Sequence, residues 1–283
     1  MKIALFGHPV GHSRSADLFR ALRIAGGPDV EYEPIDVPPD QFADVARRVL
    51  RGEYRGANVT VPHKVAAAAL ADEVDPAARA IGAVNVLAAR AGGGLYGANT
   101  DARGFFDALL AERRAVERLE GALPRVAILG AGGAARAVAW ALMRQEFDVL
   151  VVARDTARVR AWPPQLPVRA VSWGDPALTA RIAACPLVVQ ATPLGTWPDV
   201  SGSALLGEDA FRPEQVVVDL VYNPWQTRFL ERAREAGALG INGWPMLVRQ
   251  AGAAAELWFG PGAGERLVAA ARLVEDRDPA DAP

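Results

Sequence analysis

Cysteine, histidine and any surplus of one charge are scarce in this chain. Among 283 residues there is one cysteine, Cys185. A single thiol closes no internal disulfide, so stability must come from packing, and a reducing cytoplasm is the compartment that fits. Cys185 lies in an apolar run, where a small core residue is a better reading than a reactive thiol. Histidines number three. His8 and His12 follow the first apolar run without a third ligand at suitable spacing, so they read as turn residues and no metal is expected. Lys and Arg total 31 against 33 for Asp and Glu, a net charge of −2. That balance supports neither a nucleic-acid nor a membrane surface. Long hydrophobic runs are missing too: nothing approaches the roughly 18–20 residues of a membrane-spanning helix. The apolar stretch 3–6 is too short for the core of a secretory signal. A soluble protein that binds a small molecule is expected, as a monomer or homodimer.

What the chain does have is apolar content, 51% of its residues, and a length above that of one common domain, so two cores are expected. Residues 2–6 read as a buried parallel strand. A helix over 13–25 follows, ended by Gly26-Gly27, and then a strand over 30–36. Pro38-Pro39 break the chain, and Asp40 is placed to cap a helix running to Arg51. A strand over 56–61 leads through Pro62, suited to a first helical turn, into the next helix. Strands over 83–89 and 94–98 are joined by Gly92-Gly93-Gly94, and one long helix is expected from Asp101 to Leu119. After a boundary at Gly121–Pro124, strands are expected at 126–129, 147–152, 167–171, 186–190 and 215–220 with helices between. Such alternation predicts a parallel sheet covered on both faces. Beyond residue 240, Met246, Leu247, Gln250, Ala251, Ala254, Leu257 and Trp258 share one helical face. The reading is α/β with two domains. An N-terminal substrate domain with a mostly parallel sheet spans 1–101. A Rossmann-like doubly wound nucleotide domain spans 102–240, and C-terminal helices over 241–283 return to the first. The charged tail, 275–283, should fray.

Three clusters carry chemistry. Gly130-Ala131-Gly132-Gly133-Ala134 follows a predicted strand and opens a predicted helix. There the first glycine allows a tight turn, the next lets backbone approach a pyrophosphate, and free helix N–H groups meet negative charge. About twenty residues on, Arg154 and Arg158 flank Asp155. An acid there favours a free ribose 2′-hydroxyl, whereas two guanidiniums grip a 2′-phosphate. NADP is preferred and NAD is possible, while Asp155 serves equally as a helix cap. The second cluster is Asn58-Val59-Thr60-Val61-Pro62-His63-Lys64 with Asn99-Thr100-Asp101. A lysine beside a carboxylate can manage a proton on a hydroxyl or carbonyl substrate. The same two residues read equally well as an ion pair between two helix starts. The third is Ser13 and Ser15, which could donate to a carboxylate or cap a helix. Thr60 and Asn85 alone read as turn or cap residues, and Tyr222 alone as a packing residue.

In their order along the chain, the serine loop, residues 58–64, Gly82-Ala83-Val84-Asn85, Asn99-Thr100-Asp101, residues 130–134, Tyr222-Asn223-Pro224 and Gly243-Trp244-Pro245-Met246-Leu247-Val248-Arg249-Gln250 resemble the shikimate dehydrogenase family over nearly the whole length. The resemblance implies NADPH-dependent, reversible reduction of 3-dehydroshikimate to shikimate. It implies Lys64 as the catalytic lysine and Asp101 as its partner. Ser13, Ser15, Thr60, Asn85, Tyr222 and Gln250 would hold the substrate carboxylate and hydroxyls. Arg154 and Arg158 would hold the 2′-phosphate, with Leu220, Gly243 and Met246 near the nicotinamide. The chain departs from the usual pattern at Ala16, Leu18-Phe19-Arg20, Val86, Ala102, Ala153 and Asp155. A paralogue acting on quinate or an aminated analogue, with NAD or NADP, is the alternative of the same class. A non-catalytic NADP-binding regulator is the alternative of another class.

Overall fold

The computed structural model describes residues 1–11, 13–90, 92–204 and 210–275. His12 and residues 276–283 of the tail, on which the sequence carries expectations, lie outside these. Two compact units emerge: residues 1–104 with those from Leu247 onward, and Phe105–Met246.

The first unit contains β1 (Lys2–Gly7), α1 (Ser15–Ile24), β2 (Glu31–Asp36), α2 (Phe42–Ala46), β3 (Gly56–Val59), α3 (Lys64–Leu70), β4 (Glu73–Val74), α4 (Pro76–Ile81), β5 (Val86–Ala89) and β6 (Leu95–Ala98). Its sheet runs β2-β1-β3-β5-β6-β4. β5 is antiparallel to both neighbours, while β1, β2 and β3 are mutually parallel, as are β4 and β6. Most of these runs are apolar: Ile3, Ala4 and Phe6 have no exposed surface, which is what a central strand covered on both faces requires. Helix α4 shows how local sequence sets an element. Asp75 accepts a bond from the Ala78 N–H at 2.8 Å, Pro76 occupies the first position, and Gly82 closes the helix at φ +66°.

Four sequence expectations need correction here. Asp40 caps nothing. It sits inside a short 3₁₀ turn, Pro39–Gln41, and α2 ends at Ala46 rather than Arg51 because three-residue bonds (Arg48 N–H to Val45 O, Val49 N–H to Ala46 O) tighten the chain. Pro62 stands in the turn before α3, whose first residue is Lys64; the strand already ends at Val59. Asp101–Leu119 is two helices, α5 (Asp101–Ala111) and α6 (Arg113–Leu119). Glu112 adopts extended φ and ψ, and its carboxylate caps the second by accepting from Arg114 N–H. The short edge strand β4, too brief to leave a periodic signal, was not anticipated.

The second unit follows α6 with β7 (Arg125–Leu129), α7 (Gly133–Met143), β8 (Asp148–Ala153), α8 (Thr156–Arg160), β9 (Arg169–Ser172), α9 (Leu178–Ala183), β10 (Leu187–Gln190), β11 (Val216–Asp219), α10 (Arg228–Glu235) and β12 (Leu239–Ile241). All six strands are parallel in the order β12-β11-β10-β7-β8-β9. This is the doubly wound order, whose direction of winding reverses between β7 and β10. Runs such as Leu-Val-Val and Val-Val-Val make its central strands fully buried.

The last helices, α11 (Trp244–Phe259), α12 (Ala263–Ala270) and α13 (Arg272–Glu275), bring the chain from Leu247 onward into the first unit. Trp258 anchors them. Its indole N–H donates to Leu87 O at 3.1 Å, and its ring sits where Gly56 has no side chain, since a Cβ there would lie 2.2 Å from Trp258 Nε1. Leu257, expected on the inner face, is 47% exposed; Ala251, Ala254, Ala255 and Trp258 fill that face instead. Phe19 has no exposed surface and stacks on Tyr32 at 4.6 Å, so the Leu18-Phe19 departure serves packing. Among the described residues no helix is long and apolar enough to cross a membrane.

Cys185 is buried against the second core, beside Ile182 and Val188, and its burial pushes the thiol up to about 11. Native protein at pH 8 should therefore leave an aromatic disulfide reagent almost unreacted over minutes, and full denaturation should release one thiol per chain. Rapid native labelling would contradict this placement.

Candidate active site and nucleotide site

In the first unit, four segments converge at one edge of the sheet. The loops after β1 and β3 leave parallel neighbours at their carboxyl ends; Thr60 N–H donates to Phe6 O, and His8 N–H to Val61 O. β5 runs the other way, so Asn85, just before it, arrives at that edge, and β6 delivers Asn99, Thr100 and Asp101 beside it. Lys64 begins α3 and Asp101 begins α5. Lys64 Nζ donates to Asp101 Oδ2 at 2.5 Å, with 12% and 5% of the two side chains exposed. The other carboxylate oxygen accepts from Asn85 Nδ2 at 2.9 Å. That amide also donates to Thr100 Oγ1 at 2.9 Å and Gln250 Oε1 at 3.3 Å, and its own oxygen accepts from Thr100 N–H at 2.7 Å. Gln250 is placed by a close approach of α11 to α5: a Cβ on Gly104 would lie 2.7 Å from Gln250 N. Asn99 fixes the turn, donating to Ala83 O and accepting from Ala102 N–H.

Lys64, Asp101, Asn85 and Gln250, all expected from the sequence, thus form one bonded cluster. Ser13 and Ser15 lie in the β1–α1 loop and at the start of α1, their hydroxyls 3.3 Å apart; Ser15 is buried. Thr60 is half-buried directly after β3. Tyr222, Leu220, Gly243 and Met246 belong to the second unit. His8 pairs with Asp36 at 3.1 Å.

In the second unit, Gly130 follows β7 with φ +115°, a conformation that favours glycine, and a Cβ there would meet Thr192 and Ala191 of the loop after β10 at 3.0–3.1 Å. The glycine turn therefore lies against the point where the strand order reverses. No side chain caps α7, whose N-cap is Gly132, so its first N–H groups have no side-chain acceptor at the cap. Arg154 and Arg158 are exposed at the end of β8 and in α8. Asp155 is the N-cap of α8, accepting from Ala157 N–H at 2.9 Å.

Four residues here escaped sequence reasoning. Arg136, on α7, lies 5.6 Å over the Trp162 ring, and burial, then the charge of Arg158, lower its pKa. Gln190 and Asp219 end the apolar strands β10 and β11 with no exposed surface. Asn242 ends the strand-like run after α10 and donates to Trp225 O at 2.8 Å. For Gln190 and Asp219 the available signal was a polar residue closing an otherwise apolar strand.

Known proteins resemble this chain in sequence and in fold. The chain is 42% identical over 268 residues to the shikimate dehydrogenase (NADP(+)) of Moorella thermoacetica, covering 91% of this chain and 88% of that protein. The chain belongs to the shikimate dehydrogenase family. Its residues 5–87 match the family model for the shikimate dehydrogenase substrate binding domain. Among solved structures, the shikimate 5-dehydrogenase of Thermus thermophilus, in complex with NADP(H) and shikimate, superposes with a TM-score of 0.79 at 37% identity, covering 96% of this chain and 99% of that one. The quinate dehydrogenase of Corynebacterium glutamicum, in complex with NAD, gives 0.79 at 30% identity over 96% and 99%.

Asp219 also predicts a pH dependence. Burial pushes its carboxyl up to about 7, against the pull of bonds from Thr227, Val221 N–H and Gln190, all neutral donors. The folded value lies above the ordinary 3.8. Stability from this group is therefore complete below the unfolded value and is lost as pH rises through about 7. Urea midpoints should fall more between about pH 5.5 and 8 in the wild type than in Asp219→Asn; equal slopes would contradict the burial argument.

Proposed function

We propose that this protein is an NADP-dependent shikimate dehydrogenase, interconverting 3-dehydroshikimate and shikimate. The observation that carries the reading is the Lys64–Asp101 pair, seated with Asn85 and Gln250 in one hydrogen-bonded cluster. Reduction of a ketone leaves a developing alkoxide that must be stabilised and protonated. The Lys64 ammonium is the donor for both tasks. Asp101 orients that ammonium through one oxygen while Asn85 fixes the other. Ser13, Ser15, Thr60, Tyr222 and Gln250 supply the hydroxyl and amide groups that suit a carboxylate and ring hydroxyls. In the reverse direction Lys64 takes the proton back.

When bound, NADPH supplies the hydride. The residues fit it: the glycine turn at 130–134 opens an uncapped helix at the reversal of strand order, where a pyrophosphate belongs. Leu220, Gly243 and Met246 are the positions for the nicotinamide end. Arg154 and Arg158 are exposed where the adenosine ribose would end, and Asp155, the residue that could have favoured a free 2′-hydroxyl, already caps α8. Arg136, close enough to Arg158 for their charges to oppose, strengthens the preference for a 2′-phosphate.

The decisive assay follows NADPH oxidation with 3-dehydroshikimate, and NADP⁺ reduction across shikimate, quinate and amino-substituted analogues. Shikimate should give the highest kcat/KM; a higher value for quinate would move the enzyme to the quinate branch, and no turnover of any of them would overturn the reading. Lys64→Ala should lower kcat by about 10²–10⁴-fold with a small change in substrate KM, because its contribution belongs to the transition state. A fully active variant would refute the role of Lys64.

Cofactor choice is tested separately. Arg154→Ala and Arg158→Ala should each raise the KM for NADPH about tenfold, on the order of 1.4 kcal/mol of charge-assisted bonding, and leave the KM for NADH unchanged. Equal effects on both nucleotides would remove the 2′-phosphate assignment.

A further inference from the structure

The second unit contains a buried polar network that the proposed chemistry does not use. Asp219 has no exposed surface and sits at the carboxyl end of β11. Its Oδ1 accepts from Val221 N–H at 3.0 Å and from Gln190 Nε2 at 3.3 Å, and its Oδ2 accepts from the Thr227 hydroxyl at 2.6 Å. Each donor comes from a different place. Val221 is in the loop that leaves β11, Thr227 ends that loop and caps α10 by accepting from Leu230 N–H at 3.2 Å, and Gln190 ends the neighbouring strand β10. Gln190 extends the network. Its oxygen accepts from the Thr192 N–H and hydroxyl at 2.5 and 2.6 Å, and its amide donates to Leu194 O at 3.2 Å.

The opposite side of the loop 220–227 is held as well. Asn242 Nδ2 donates to Trp225 O at 2.8 Å and Val221 O at 3.3 Å, and Gly243 N–H donates to Val221 O at 3.1 Å. A Cβ on Gly243 would lie 2.3 Å from Leu220 O, so the two backbones are in direct contact. The loop is thus held at its root by the Asp219 carboxyl, which Gln190 ties to β10, and from the β12 side by an amide and a glycine. It carries Leu220 and Tyr222. It also stands at the carboxyl ends of adjacent central strands, where a doubly wound sheet places its ligand.

We propose that Asp219 is a positioning residue for hydride transfer: one buried carboxyl, bonded to three donors, sets the backbone of the loop after β11 and joins it to the loop after β10, so that the groups beside the nicotinamide keep one geometry. This rests on the function proposed above. A purely scaffolding acid would need only to be satisfied within its own loop. Asp219 instead joins its own loop and a helix start to the end of β10, and Gln190 carries the constraint on to Thr192 in the next loop, which lies against Gly130 of the glycine turn. Reactions of this kind are sensitive to displacements of about 1 Å, which can cost up to about 10²-fold in rate.

The experiment compares wild type, Asp219→Ala, Asp219→Asn and Thr227→Val, with kcat normalised to the folded fraction and NADPH affinity measured by its fluorescence without substrate. Asp219→Ala should lower kcat per folded site by about 10–100-fold and raise the NADPH Kd severalfold. Asp219→Asn keeps one acceptor for Val221 and Gln190 and can donate to Thr227, so it should recover kcat to within about threefold. Thr227→Val removes a single donor and should fall between. If Asp219→Ala does not fold, Thr227→Val carries the test alone. Unchanged kcat and Kd per folded site in Asp219→Ala and Thr227→Val, or in Thr227→Val if only that one folds, would reduce Asp219 to a stabilising residue and overturn the proposal. A wild type that binds NADPH yet turns over no shikimate-like compound would defeat the function reading instead, and the ratio of nucleotide Kd values would still judge Asp219.

Discussion

A carboxylate and an ammonium meet at 2.5 Å with little of either exposed, and much of the first unit is arranged around that meeting. Burying charge is costly unless each partner is matched and further bonded. Asp101 satisfies the condition with one oxygen on Lys64 and the other on Asn85. Asn85 is itself held by the Thr100 backbone on one side and by Gln250 on the other. Four segments distant in sequence therefore have to arrive together: the start of α3, the residue before β5, the start of α5 and the middle of α11. The antiparallel placement of β5 makes this possible, because it brings the beginning of that strand to the edge where its neighbours end.

The second unit solves a related problem without an ion pair. Its strands β10 and β11 are apolar until their last residues, Gln190 and Asp219, which have no access to water. Neutral donors surround the acid, and burial raises its pKa to about 7. In both units most of the polar groups of these clusters sit at or near the ends of strands, where loops leave the sheet. The rigidity of the strands is thereby passed to backbone that has no regular structure of its own.

Much of this was legible in the sequence. The apolar runs announced most strands, including every one of the doubly wound sheet except β12. The motifs at 58–64, 99–101 and 243–250 named Lys64, Asp101 and Gln250 before any geometry was available. What could not be read has physical causes. The break after Ala111 rests on the backbone of Glu112, whose capping bond competes with a helical pattern that continues on both sides. Asp40 had the right type for a cap, but two prolines imposed a tight turn first. Leu257 matched the helical period, yet Ala255 and Trp258 claimed the interior. The Asp219 network was hidden because single polar residues at strand ends carry no period and their partners lie up to 29 residues away.

The capping role of Asp155 separates two properties that adjacent residues could otherwise entangle. The side-chain cap at the start of α8 is the Asp155 carboxylate, and the guanidiniums of Arg154 and Arg158 take no part in that bond. If Arg154 and Arg158 hold the 2′-phosphate as proposed, a redesign aimed at the other nicotinamide coenzyme can exchange them while the helix keeps its capping bond. An exchange at 155 itself would have to replace a lost anchor at the same time as it altered recognition.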